Sequence, residues 1–282
     1  MNELELSNQC KKLLVSKKDE NFKTISQMFQ TETIMIAGPC AIENSEDLDF
    51  IAKLLKKNGV KIMRGGAYKP RTSPYDFQGL KENGLKMLKA VSEKYDLLTV
   101  TEVVDPRTVG LICEYVDILQ IGSRNMSNFE LLKEVGNTNK IVLLKRGMSA
   151  TLLEFILAAE YIAKQGNRSI ILCERGIRSF DCNTRNLIDI AAVPIIKKET
   201  KLPMIMDLSH SLGRKDIVGP VAKAALAVGS DGIMVEVHPC PERALSDGKQ
   251  QLSPDEFESL LKMISAFNKP LSTVECKEIL WN

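Results

Sequence analysis

From Thr33 onward, short apolar, β-branched runs alternate with longer stretches whose apolar positions recur every three or four residues. The runs are TIMIAGPC (33–40), KIMRGG (61–66), LLTVTEV (97–103), ILQIGSR (118–124), KIVLLKRG (140–147), SIILCERG (169–176), MIMDLSH (204–210) and GIMVEVH (232–238). Near-continuous apolar runs of this length predict strands buried on both faces. The stretches between them, such as EDLDFIAKLLKKNG and TLLEFILAAEYIAKQG, predict amphipathic helices that stop at a glycine. The last helix is SPDEFESLLKMISAF. Eight strand–helix units predict a parallel sheet closed into a single (β/α)8 TIM barrel, an α/β fold. An open doubly wound sheet is the rival, but no GxGxxG follows the first strand. The expected layout is an N-terminal extension over 1–32, a catalytic barrel over 33–269 and a tail over 270–282. The extension is expected as a short helix, LSNQCKKLLVSK, or as a cap over the barrel bottom.

Composition narrows the class. The chain has 282 residues, long enough for one barrel, and its 44% hydrophobic content suffices for a large core. A formal charge of +2 gives no global basic footprint for nucleic acid, so any anion site must be local. The start, MNELELSNQCKKLL, lacks the apolar centre of a signal peptide. No apolar run approaches the ~18 residues of a membrane span. The seven cysteines include no CxxC pair, which favours a reducing cytoplasm.

In a barrel of this kind the active site sits at the C-terminal ends of the strands. Those ends carry Cys40, Arg64, Glu102, Arg124, Lys145 with Arg146, Glu174 with Arg175, His210, and Glu236 with His238, and the loops add Lys69, Arg71 and Asp247. Cations converging on one mouth suit small polyanions, above all phosphates and carboxylates. Any one of them taken singly reads better as a solvated loop residue. Arg64, Arg124, Lys145 and Arg175 together read as a site, because each follows an apolar run directly. Cys40, His210, Glu236 and Asp247 offer a thiolate, an imidazole and two carboxylates, a mixture suited to Mn, Fe, Co or Zn. On spacing alone Cys40 is a small core residue and His210 an ordinary hydrogen-bonded histidine. Pattern alone leaves the choice between His210 and His238 open. Cys10, Cys113, Cys173, Cys182, Cys240 and Cys276 are assigned no role.

The motifs AGPCAIE (37–43), MRGGAYKPRTSPYDFQG (63–79), TEVVD (101–105), QIGSRNMSN (120–128), LLKRGM (143–148), CERGIRSF (173–180), MDLSHSLGRKD (206–216) and MVEVHPCPERALSDGKQQL (234–252) occupy nearly every strand end. Through them the chain resembles the 3-deoxy-D-arabino-heptulosonate 7-phosphate (DAHP) synthases, most closely the shorter type I beta branch, over about residues 33 to 265. The resemblance implies condensation of phosphoenolpyruvate with erythrose 4-phosphate, the first step of the shikimate pathway. It implies that Arg64 and Lys69 hold the phosphoenolpyruvate carboxylate, and that Arg124, Lys145 and Arg175, with Ser123 nearby, clamp its phosphate. Arg71 and Thr72 would take the sugar phosphate. Cys40, His210, Glu236 and Asp247 would hold one divalent metal ion, which selects His210 over His238. Lys69 and Glu102 would lie by the reacting carbons, and Cys40 and His210 are counted with them as catalytic. A homo-oligomer, dimer or tetramer, is implied too. The short termini argue against a fused regulatory domain and leave a regulatory partner protein open. The sister family, 3-deoxy-D-manno-octulosonate 8-phosphate synthase, has an Ala-Asn-Arg-Ser pattern after the lysine, so KPRT favours the four-carbon sugar over arabinose 5-phosphate. A non-catalytic phosphate sensor on the same barrel would have lost a metal ligand or clamp residue, and none is missing.

Overall fold

The computed structural model describes residues 33–71 and 73–267; the expectations for residues 1–32, for Thr72 and for the tail 270–282 lie outside the described residues. Eight parallel strands close in sequence order, β1 Ile34–Gly38, β2 Ile62–Arg64, β3 Leu98–Val103, β4 Ile118–Ile121, β5 Ile141–Lys145, β6 Ile170–Glu174, β7 Met204–Asp207 and β8 Gly232–Glu236, with β8 paired back onto β1. This is the expected (β/α)8 barrel.

The strand period of two divides the apolar residues between two layers. Ile36, Ile62, Val100, Ile118, Leu143, Ile171, Ile205 and Met234 fill the barrel interior. Their neighbours, among them Ala37, Met63, Leu119, Val142, Leu144 and Val235, face outward and pack under the helices. Phe155 and Phe257 are fully buried in this outer layer. Burying each side chain of that size contributes roughly 1.5–3 kcal/mol.

The helices begin where short polar side chains can satisfy their free N–H groups. Asn44 accepts from Asp47 N at the start of α1 (Ser45–Lys57), whose first turn is acidic and last turn basic. Thr151 with Glu154 and Ser253 with Glu256 form reciprocal capping boxes at the helices Leu152–Lys164 and Pro254–Ile264. Close approach also dictates glycine at the end of β1. Gly38 has φ +145, and a Cβ there would lie 2.1 Å from the Arg64 carbonyl oxygen. No helix among the described residues is long and apolar enough to cross a membrane.

Candidate active site

The strand ends open into a cleft of about 160 Å³ at the C-terminal mouth. Of the residues expected from sequence, Arg64, Lys69, Arg71, Glu102, Ser123, Arg124, Lys145, Arg175, His210 and Asp247 line it. Cys40 and Glu236 lie fully buried behind them. A larger depression of about 720 Å³ opens at the other end, where Val60, Leu97, Val116 and Asp117 precede their strands and Leu98 begins β3. Size does not decide between the two. The smaller cleft holds the buried charges that need a ligand.

Those charges include cations with unmet donors. Arg64 Nε and Nη1, Arg71 Nη2 and Arg175 Nη1 are buried with no hydrogen-bond partner. Orphaned guanidinium donors cost more than neutral ones unless an anion meets them. Burial holds the Arg175 guanidinium below its usual range against the pull of Asp207, and Arg185 and Arg124 beside it add to that. Lys145 ends β5 and is paired in the interior with Asp207, which ends β7. Lys69 Nζ lies 3.0 Å from the Cys40 carbonyl oxygen and 3.1 Å from its Sγ. Gly66 makes that contact fit. A Cβ there would sit 2.6 Å from Cys40 O and 2.8 Å from Lys69 Cδ. Neither Gly65 nor Gly66 is among the positive-φ glycines, so this crowding is what the sequence satisfies with glycine at 66. Gly122 does the same for Glu102, whose Oε1 would lie 1.9 Å from an added Cβ.

The second set is built at the ends of three strands, β1, β7 and β8. One donor atom each from Cys40, His210, Glu236 and Asp247 lies within 4.8 Å of the others. His210 was expected at a strand end. Instead it sits in a short helix, Leu208–Leu212, because Asp207 caps it by accepting the His210 backbone N–H at 3.0 Å. Asp207 Oδ2 also accepts from His210 Nδ1 at 2.8 Å. Burial lowers the His210 pKa although Asp207 and Glu236 raise it; with Nδ1 donating to Asp207, the lone pair of the neutral ring is the one on Nε2. That lone pair faces Glu236 Oε1 at 3.5 Å and Asp247 Oδ2 at 3.9 Å. Glu236 Oε1 is buried without a hydrogen bond; Arg64 Nη2 is 3.0 Å away but not aligned to donate. Cys40 Sγ stands 3.6 Å from Asp247 Oδ2 and 3.0 Å from Ser246 Oγ. Burial, with Glu236 nearby, pushes the Cys40 thiol up to about 12, against the pull of Lys69 and Arg64. Lone pairs of nitrogen and oxygen facing one another in a dry site repel unless a cation lies between them. The donor set therefore fits a divalent ion of borderline softness, and Asp207 supplies the carboxylate that fixes a ligating imidazole.

Some candidates fall elsewhere. Arg146 leaves β5 on the side opposite to Lys145, and its Nη1 donates to Glu174 Oε2 at 2.9 Å and Asp189 Oδ2 at 2.8 Å. It braces the loops. His238 accepts from Cys240 N at 3.0 Å through Nδ1 and turns Nε2 toward Glu43 at 3.6 Å, so it stands outside the donor cluster. Asp207, Gln120 and Arg185 belong to the site without having been expected. The Asp-Leu-Ser-His string is a helix-cap pattern and could have revealed Asp207. Arg185 lies in a loop with no distinguishing signal.

The DAHP synthetase I family model matches residues 16–273. A phospho-2-dehydro-3-deoxyheptonate aldolase of Thermotoga maritima is 56% identical over 228 residues, covering 81% of this chain and 68% of the relative. A 2-dehydro-3-deoxyphosphooctonate aldolase of Geobacter sulfurreducens is 32% identical over 254 residues, covering 83% of this chain and 92% of the relative. Among solved structures, the Thermotoga maritima DAHP synthase superposes with TM-score 0.81 at 54% identity, over 84% of this chain and 71% of that one. A truncated form of 3-deoxy-D-arabino-heptulosonate 7-phosphate synthase from Thermotoga maritima gives 0.77 at 50% identity, over 84% and 88%. The barrel, its cleft and these matches agree: the chain belongs to the DAHP synthetase I family.

Proposed function

We propose that the chain condenses phosphoenolpyruvate with erythrose 4-phosphate and water to give 3-deoxy-D-arabino-heptulosonate 7-phosphate and inorganic phosphate, as a 3-deoxy-7-phosphoheptulonate synthase. The observation that carries the reading is the meeting of two sets in one cleft: buried cations with unmet donors, and a sulfur–nitrogen–oxygen donor cluster that shares His210 and Asp247 with the cleft wall.

The roles follow from charge and position. Arg124, Lys145 and Arg175 hold the phosphoenolpyruvate phosphate, with Ser123 at its edge. Arg64 and Lys69 hold its carboxylate. Arg71 holds the sugar phosphate, together with Thr72. Cys40, His210, Glu236 and Asp247 hold one divalent ion, Mn, Fe, Co or Zn. When bound, it supplies Lewis acidity toward the sugar aldehyde. Carbon 3 of phosphoenolpyruvate attacks the aldehyde carbon. Carbon 2 then takes a water, and the tetrahedral adduct expels phosphate. Lys69 stands between the two substrates and moves a proton there, with Glu102 orienting the water. Holding two like-charged reactants in register is worth roughly 7–11 kcal/mol of the barrier in favourable cases.

The barrel, 33–269, is read as one catalytic domain working in the cytoplasm. A homo-oligomer is supported by an exposed apolar face, where Phe129 stacks on Tyr161 at 4.5 Å beside Leu153 and Leu157. Light scattering tests it, and a monomer at micromolar concentration would count against it.

The sister activity on arabinose 5-phosphate is the alternative, since octulosonate-forming relatives also match. KPRT at 69–72 favours the four-carbon sugar. Metal-stripped protein with Mn²⁺ added back, assayed for phosphate release with each sugar, decides. Turnover with erythrose 4-phosphate supports the proposal, preference for the five-carbon sugar transfers it to the sister reaction, and no turnover with either refutes both.

A further inference from the structure

Gln250, in the turn Gly248–Gln250, is buried, and nothing above uses it. Its Nε2 donates to Glu236 Oε2 at 2.6 Å and lies 3.5 Å from Asp247 Oδ2. Its Oε1 accepts from Arg185 Nη1 at 2.8 Å. A guanidinium only donates and an ionised carboxylate only accepts, so one amide orientation alone satisfies both neighbours. With Oε2 engaged by the amide, Glu236 presents Oε1 to His210 Nε2. The same Arg185 Nη1 lies 3.3 Å from Asp247 Oδ2, the oxygen that faces Cys40 and His210.

Arg185 is itself fixed. Its backbone N–H donates to Leu212 O at 2.9 Å. Gly213, at φ +67, ends the short helix that carries His210, and a Cβ there would lie 2.6 Å from Arg185 Cβ. Arg185 thus ties the loop after β6 to the ligand-bearing segment after β7 through its backbone and to the one after β8 through its side chain.

We propose, on the metal reading above, that Gln250 oriented by Arg185 positions Glu236 and Asp247 for the ion, and that this pair sets the affinity of the site. Arg185 could be viewed instead as a cation that merely competes for Asp247. The two views predict opposite signs. Loss of a competitor tightens ion binding, whereas loss of a positioning group loosens it.

The test is Co²⁺ affinity measured by competition with a chromophoric chelator, with the ligand-field and thiolate charge-transfer bands recorded alongside. Gln250→Met keeps the volume and removes both hydrogen bonds. It is expected to raise Kd about 10- to 100-fold and to shift the bands, as loss of supporting contacts does elsewhere. Arg185→Met is expected to raise Kd as well. The double variant is expected to go no further than the larger single effect, because the two act as a unit. Asn167→Ala is the control: Asn167 is buried and donates to Lys140 O at 2.7 Å at the opposite end of the barrel, so its loss lowers Tm and leaves Kd unchanged. Tighter binding by Arg185→Met, or a native Kd and spectrum for Gln250→Met, overturns the proposal. Should Gln250→Met not fold, the sign of the Arg185→Met effect decides alone. Wild-type protein that binds no Co²⁺ removes the metal reading and this one together, whereas wild-type binding with unaltered variants removes only this one.

Discussion

Replacing Arg146 by Met isolates the bracing network from the cleft. In the native chain Arg146 Nη1 bridges Glu174 Oε2 and Asp189 Oδ2, and Nε donates to Ala150 O at 3.0 Å. Glu174 is fully buried, and its remaining partner is Gly176 N–H at 2.6 Å. Removing one partner of a buried pair leaves an uncompensated charge and costs about 3–5 kcal/mol. Asp189 is one-quarter exposed, can be rehydrated, and adds at most ~1 kcal/mol. Burial already lifts the Glu174 carboxyl above the usual carboxylate range, although Arg146 and Gly176 N–H pull it down. Without Arg146 the lift grows. A carboxyl whose folded pKa is raised contributes stability below its unfolded pKa and loses it as pH rises through the folded value. The deficit of the variant is therefore smallest in acid and grows with pH. Urea unfolding at pH 8 is expected to show the full loss, about 3–5 kcal/mol. At pH 5 the gap narrows toward the roughly 1–3 kcal/mol of the lost hydrogen bonds. A gap that is constant with pH, or wider at pH 5, would refute the assignment of Glu174 as the group left exposed to the low dielectric.

Asp207→Asn removes the acceptor that orients His210 and the counter-charge of Lys145. Chelator competition should show ion affinity lower by about 10- to 100-fold, while phosphoenolpyruvate binding by calorimetry holds or tightens, since Lys145 is then free for the phosphate. Gly38→Ala places a Cβ against the Arg64 carbonyl at an unfavourable φ and should cost at least ~1–3 kcal/mol in denaturant unfolding. Lys69→Met should depress kcat; a native kcat with only a raised KM would end the proton-transfer role. Chelation should abolish turnover and Mn²⁺ restore it, with circular dichroism showing the barrel intact throughout, because the core is apolar and independent of the site.

The barrel was legible because its strands are largely buried on both faces, so most of them read as near-continuous apolar runs. Each observed strand falls inside its predicted run. The ends were less legible. The run over 118–124 stops at Ile121, since Ser123–Asn125 turns Arg124 into the cleft. The run over 204–210 stops at Asp207, since a side-chain cap starts a helix there. Lys145 and Arg146 look alike in sequence. Alternation along the strand separates them, sending one to the cleft and the other to Glu174. The donor cluster was illegible from spacing, because its members sit on a strand, a helix and loops, and Cys40 joins the other three only through ring closure. Resemblance to a known family supplied what spacing did not. Gln250 and Arg185 had neither signal, because a hydrogen bond between two loops leaves no periodicity.

The donor cluster also bears on when the protein becomes competent during its synthesis. Cys40 follows the first strand, while Glu236 ends the last and Asp247 follows it, and β1 joins β8 through a five-residue register from Ile34↔Gly232 to Gly38↔Glu236. Contacts of such sequence separation form late, since the intervening chain must first be ordered. A nascent chain that has not emerged past Asp247 cannot assemble the four donors, however well its earlier strands are paired. Ion capture is thus a clock for the final event of ring closure, and the rate at which a refolding chain takes up Co²⁺ would time that event directly.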